Sequence, residues 1–73
     1  MQVFIIINKP YVFNISSTNT ILELKEKINN KFNLYNNLYT LRHHMKILDN
    51  NKKISFYNIN KNTNIYLMRK LLS

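Results

Sequence analysis

The chain has 73 residues, 45% of them hydrophobic, enough for one small core and a single domain over residues 1–73. It contains no Cys and no Gly, which excludes a disulfide framework, a thiolate zinc site, a thiol nucleophile and every glycine-dependent phosphate loop. Eleven Lys and Arg against three Asp and Glu leave a net charge of +8, a bias toward polyanions or acidic partners that says nothing about fold. Asn, Ile, Lys and Tyr are abundant and Ala is absent. An AT-rich coding sequence produces the same mix, so part of the lysine excess needs no functional reason. The longest apolar run, Val3 to Ile7, is too short to span a membrane. No basic segment precedes an apolar one at the start, so no secretory leader is expected.

Gln2 to Ile7 is β-branched and aromatic and reads as a strand. Tyr11 to Ile15 follows after Asn8-Lys9-Pro10 and reads as its hairpin partner. With no Gly available, Asn8 is the expected left-handed residue of the turn. Pro10 cannot donate to a ladder, which places the second strand at a sheet edge. Alternation puts Val3, Ile5, Tyr11, Phe13 and Ile15 on one face, and Phe4, Ile6, Val12 and Asn14 on the other. Thr20-Ile21-Leu22-Glu23 matches a capping box. Ile21, Leu24, Ile28 and Phe32 then recur at helical spacing as a buried stripe. Glu23 and Glu26 precede Lys25, Lys27 and Lys31 for the most part, which suits the helix dipole. Asn29, Asn30 and Asn33 weaken the far end, and the helix should stop near there. After an irregular Leu34 to Leu38, Tyr39 to His43 reads as a strand, Ile47-Leu48 as a short one, and Asp49-Asn50-Asn51 as a turn. Ile54 to Ile59 is compact and irregular, with room for a 3₁₀ turn. Asn64 to Lys70 is a final strand, Ile65 and Leu67 on one face and Tyr66 and Met68 on the other. The expected class is α+β, a mixed sheet packed on one α-helix.

Several segments resemble the ubiquitin and ubiquitin-like family. Met1-Gln2-Val3-Phe4 matches its start, and Thr20-Ile21 opens the helix as it does there. Lys25, Lys27-Ile28 and Lys31 repeat the helix lysine pattern. Ser55, Tyr57-Asn58-Ile59 and Lys61 match its most recognisable late segment. The similarity runs from Met1 to about Leu71 with one short deletion, in the first hairpin turn. It implies a β-grasp fold whose core is Val3, Ile5, Tyr11, Phe13, Ile15, Ile21, Leu24, Ile28, Leu41, Leu48, Ile54, Tyr57, Ile59, Ile65 and Leu67. It also implies a protein that is not an enzyme and needs no cofactor or metal.

The departures from the family bear on function. Conjugated members end in a Gly-Gly tail that threads a narrow enzyme channel, where a side chain would clash. This sequence reads Arg69-Lys70-Leu71-Leu72-Ser73, with Ser73 at the first of those glycines. As written, the chain is expected not to be conjugated; a modifier whose last residues lie beyond this sequence is the alternative. The family's usual receptor patch is apolar. Here its hairpin Leu is lost, Arg42 stands at its central Ile, Met68 at its Val and Tyr66 at the neighbouring His. A standard receptor would have to desolvate a guanidinium against an apolar surface. The same face offers Phe4, Ile6, Val12, Tyr66 and Met68 beside Arg42, His44 and Lys70, an apolar patch rimmed by base and suited to a partner.

Lys9, Lys25, Lys27, Lys31, Lys46 and Lys61 fall at chain-forming lysines of the family. Lys46 and Lys61 are candidate modification sites, weighed against plain solvated charge. His43-His44 invites a metal reading, but adjacent strand residues face opposite ways, and His43 falls at an inward position. Glu23 and Glu26 read as helix-capping acids, not a catalytic pair, and Asp49 as a turn residue. The leading expectation is a non-catalytic protein-interaction module in the cytoplasm or nucleus, either monomeric or part of a larger assembly, with no membrane or small-molecule ligand. The alternative is an RNA- or ribosome-associated domain, such as the head of a ribosomal fusion protein, with phosphates neutralised by lysines and bases stacked on Tyr66 or Phe4. Only Lys52-Lys53 places two lysines side by side, so clustering does not separate a protein partner from ribosomal RNA.

Overall fold

The structure, a computed structural model, describes residues 1–35 and 38–70. Part of the irregular segment Leu34 to Leu38 and the ending Leu71-Leu72-Ser73 lie outside the described residues. Strand β1 (Gln2–Ile7) turns through Asn8 into β2 (Lys9–Asn14). Helix α1 (Ile21–Phe32) follows, then β3 (Tyr39–His43), the short β4 (Lys46–Ile47), a 3₁₀ turn (Ile54–Tyr57) and β5 (Asn64–Arg69). The five strands form one mixed sheet in the order β2-β1-β5-β3-β4. β1 and β5 are parallel at its centre, and the other pairs are antiparallel. This is the α+β class, a mixed sheet on one helix, that the patterning predicts, in the β-grasp arrangement that the resemblance implies.

Four boundaries differ from the sequence reading, among them the end of β5, which stops at Arg69 and not at Lys70. β2 begins at Lys9, not Tyr11, because Asn8 at φ 64° reverses the chain alone and Ile7 pairs with Lys9. Pro10 therefore sits inside β2, which is tolerated because β2 is an edge strand. Ile15 lies just past β2, yet it stays tied to the sheet: its N–H donates to Met1 O at 2.8 Å, and the Met1 ammonium donates to Ile15 O at 2.7 Å. β4 is Lys46–Ile47, shifted by one residue from Ile47-Leu48, because Arg42 pairs with Ile47 and Leu48 turns inward.

The helix starts as its capping box predicts. Glu23 N–H donates to Thr20 Oγ1 at 3.2 Å, and Thr20 N–H donates to Glu23 Oε1 at 2.7 Å. The next free amides of α1 find carbonyls in the loop after β4: Ile21 N–H donates to Lys52 O and Leu22 N–H to Asn50 O. Asn33 in the left-handed conformation (φ 59°) ends the helix, and its N–H donates to Asn29 O.

The core lies between α1 and the inner face of the sheet. It holds Val3, Ile5, Phe13, Ile15, Ile21, Leu24, Ile28, Tyr39, Leu41, Leu48, Ile54, Ile59 and Ile65. Burying each such side chain is worth about 1.5–3 kcal/mol. Tyr11, Tyr57 and Leu67, expected among them, and Phe32, expected in the buried stripe of α1, are half-buried at the margin. Tyr11 packs edge-on against Phe32 with ring centroids 4.8 Å apart.

Candidate interaction surface

The outer face of the sheet is built from the residues that alternate with the core. Register aligns one row across all five strands: Pro10 opposite Ile6, Ile6 opposite Tyr66, Tyr66 opposite Arg42, and Arg42 opposite Ile47. A second row runs Val12, Phe4, Asn64, and Met68 lies beside Thr40. Phe4 and Ile6 are half-buried by their neighbours, whereas Val12, Ile47, Tyr66 and Met68 keep 51, 55, 49 and 48% of their surface exposed. Phe4, Ile6, Val12, Arg42, Tyr66 and Met68 are thus brought onto one face as the alternation predicts. Ile47 joins them. Sequence reading missed it because the position of so short a strand is set by pairing with Arg42, not by a pattern of its own.

No strand contains an acidic residue. Glu23 and Glu26 are on α1, and Asp49 lies in the loop after β4. Glu23 is committed to the cap, and the N–H of Thr20 on its carboxylate is the main cause of its lowered pKa. Asp49 accepts from Asn51 N–H at 2.9 Å and donates its own N–H to the Tyr57 hydroxyl at 2.7 Å. Among the described residues, the Arg42 guanidinium makes no hydrogen bond or ion pair.

His44 and Lys70 depart from the pattern. β3 ends at His43, and His44-Met45 form a two-residue loop with φ 50° and 66° before Lys46 pairs back to His43. Positive φ at both residues is the geometry a tight hairpin demands, normally met by Asn-Gly. Alternation does not extend to His44, so the sequence expectation that the two imidazoles point to opposite faces fails. Their ring centroids lie 4.0 Å apart. His43 is buried as expected. Burial first, and the neighbouring His44 second, hold its pKa below the usual histidine value. His44 still borders the outer face, in an open hollow it shares with Arg42, Met45, Tyr66 and Met68. Among the described residues, no group of three or more His, Asp or Glu is placed to hold a metal ion. Lys70 lies past the end of β5 and lines a different hollow, with Leu34, Leu38, Tyr39, Leu67 and Arg69. The structure does not bring it to Arg42.

Two buried polar residues escaped the sequence reading. Lys25 is buried in α1, its Nζ 5.4 Å from the centre of the Tyr39 ring. Burial lowers its pKa, with a smaller push from the positive charge of Lys70. Tyr39 donates its hydroxyl to Asn29 Oδ1 at 2.7 Å, and burial raises its pKa to about 12. Both were findable: Lys25 sits four residues after Ile21 and three before Ile28 on the apolar stripe, and Tyr39 shares the inward phase of Leu41. Lys46 and Lys61 are exposed, Lys46 in β4 and Lys61 in the turn before β5.

No curated protein sequence matches the chain. A family model described as the Ubiquitin family matches residues 3–72, and the chain, with its one helix packed on a five-stranded mixed sheet, belongs to that family.

Proposed function

We propose that this ubiquitin-family chain is a non-catalytic interaction module whose outer sheet face docks a protein partner. The observation that carries this reading is the row Pro10, Ile6, Tyr66, Arg42, Ile47: exposed Pro10, Tyr66 and Ile47 and half-buried Ile6 around a guanidinium that has no partner among the described residues. An apolar centre with a cationic group is the make-up of an interface core, and arginine and tyrosine are the residue types that dominate interface energetics. Membership of a family of mostly non-enzymatic modules agrees with it, as does the commitment of Glu23 to a helix cap. Lys46 and Lys61, both exposed, remain candidate sites of lysine modification beside this role.

A second reading, an RNA- or ribosome-associated domain, has the net charge of +8 behind it. The cations are dispersed, however: Lys27 and Lys31 on α1, Lys52 and Lys53 in the loop, Lys9 and Arg42 on the sheet. No stripe of phosphate contacts follows from that placement.

The test is quantitative affinity capture with three proteins of matched stability: wild type, Tyr66→Ala/Met68→Ala, and Lys27→Ala/Lys31→Ala. The docking reading expects protein ligands held by wild type and by the helix variant and lost from the sheet variant. Captured RNA that is released by modest salt and lost from the lysine variant would establish the second reading instead.

A further inference from the structure

Arg42 and its surroundings define the chemistry of the docked segment. Resting on the docking reading above, we infer that the partner presents an acidic residue flanked by apolar ones, its carboxylate seated on Arg42 in the hollow between the β3–β4 turn and β5. Four observations converge there.

First, Arg42 makes no hydrogen bond or ion pair among the described residues, and the strands carry no acid to neutralise it. A partner that covers Tyr66 and Ile47 must also cover the guanidinium between them. Burying that charge unpaired is costly, whereas a carboxylate satisfies it with two parallel hydrogen bonds. Second, the hollow beside it, about 740 Å³ and open to solvent, is walled by Met45, Tyr66 and Met68. Thioethers and a tyrosine ring adapt to apolar side chains of varied shape.

Third, the turn that forms the rim is held at a conformational cost. Of the six described residues with positive φ, four are Asn, the residue that tolerates that region best in a chain without Gly. The other two are His44 and Met45, and both line this hollow. Met45 is 95% exposed, so packing within the fold does not account for a long apolar side chain at a position suited to Asn or Gly. Its side chain is available to a partner and to nothing else described.

Fourth, the charge pattern favours a peptide over a nucleic acid. Around the hollow a single guanidinium stands with the His43 and His44 imidazoles, the neutral Thr63 and Asn64, and Met45, Tyr66 and Met68, whereas a phosphate backbone needs a track of cations.

The test uses random peptides displayed on phage, selected in parallel on the wild-type protein and on Arg42→Leu. Selected sequences are then synthesised in pairs, with Asp or Glu and with Asn or Gln, and titrated by NMR. Wild type should select Asp or Glu between apolar residues, and the amide versions should bind about tenfold or more weakly, as expected for loss of a charge-assisted pair. Shifts should centre on Arg42, Met45, Tyr66 and Met68. Arg42→Leu should select uncharged peptides on the same face, and Arg42→Lys, which keeps the charge without the fork, should fall between. Peptides that seat on this face with no preference for an acid overturn the carboxylate assignment and leave the docking face standing. Peptides that map to α1 or to the sheet edge overturn both. A single-stranded RNA homopolymer that shifts the same residues and displaces the peptides overturns the choice of a protein ligand.

Discussion

The two faces of the one sheet are made by the same strands and obey different rules. On the inner face, Val3, Ile5, Phe13, Leu41 and Ile65 are sealed against α1, so each position answers to volume and polarity. On the outer face, Val12, Ile47, Tyr66 and Met68 are half in water, and Arg42 stands with them, without a partner among the described residues. Stability selects the first set. It is nearly indifferent to the second, so the composition of the outer face carries information about something other than folding. The widest test of that division compares Ile5→Ala with Tyr66→Ala by urea denaturation. Ile5→Ala should cost about 2–5 kcal/mol through lost burial and the cavity left behind. Tyr66→Ala should stay within about 0.5 kcal/mol while impairing partner binding. Comparable losses from the two would show that the outer face is structural and would end the division.

A smaller effect sharpens the same contrast at the helix. α1 is held to the inner face by its stripe, but its first turn depends on the Thr20–Glu23 box and on carbonyls from the loop after β4. Thr20→Ala should cost about 1 kcal/mol, close to the usual value of a cap. Because Ile21 and Leu22 keep their loop acceptors, the loss should be confined to the first turn, seen as faster amide exchange there and unchanged exchange in β1 and β5.

The inner face was legible in the sequence because burial imposes a period. Strand alternation and helical spacing located most of the core, the Thr20–Glu23 box located the start of the helix, and Pro10 the edge position of β2. The misses have local physical causes. Lys25 was overlooked because its charge argues for water, whereas its stem lies on the stripe and its ammonium against the Tyr39 ring. Pro10 was read out of β2 because the expected turn was longer than the single reversal at Asn8. The outer face was legible only as far as alternation runs. It placed Phe4, Ile6, Val12, Arg42, Tyr66 and Met68. It failed at His44, where the chain leaves the strand, and at Lys70, past the end of another. Ile47 could be found only through the register with Arg42.

The β3–β4 turn is where the two faces meet, and it offers a change of opposite sign. Met45→Gly removes a side chain that makes φ 66° unfavourable, so it should raise stability by about 1 kcal/mol. Under the docking proposal the same change should weaken partner binding, because it deletes the exposed wall of the hollow. A gain in stability with undiminished binding would return Met45 to the class of tolerated accidents.

The smallest expected effect is a pH dependence, and it comes from the residue on the inner side of that turn. His43 fills a buried position, with His44 against it and Lys46 opposite it in the ladder. Burial first and the neighbouring imidazole second depress its folded-state pKa below the ordinary 6.5. The unfolded chain therefore binds the proton more readily, so stability falls as pH drops below 6.5 and levels off below the folded pKa. Above 6.5 both states hold the neutral ring and the contribution is complete. Denaturation midpoints between pH 7 and pH 5 should show this fall in wild type. His43→Phe should flatten it, by removing the group that titrates. His44→Gln should reduce it without abolishing it, since burial, the larger cause, remains. A slope unchanged in His43→Phe would mean that the acid sensitivity lies elsewhere and that this position is apolar in effect as well as in place.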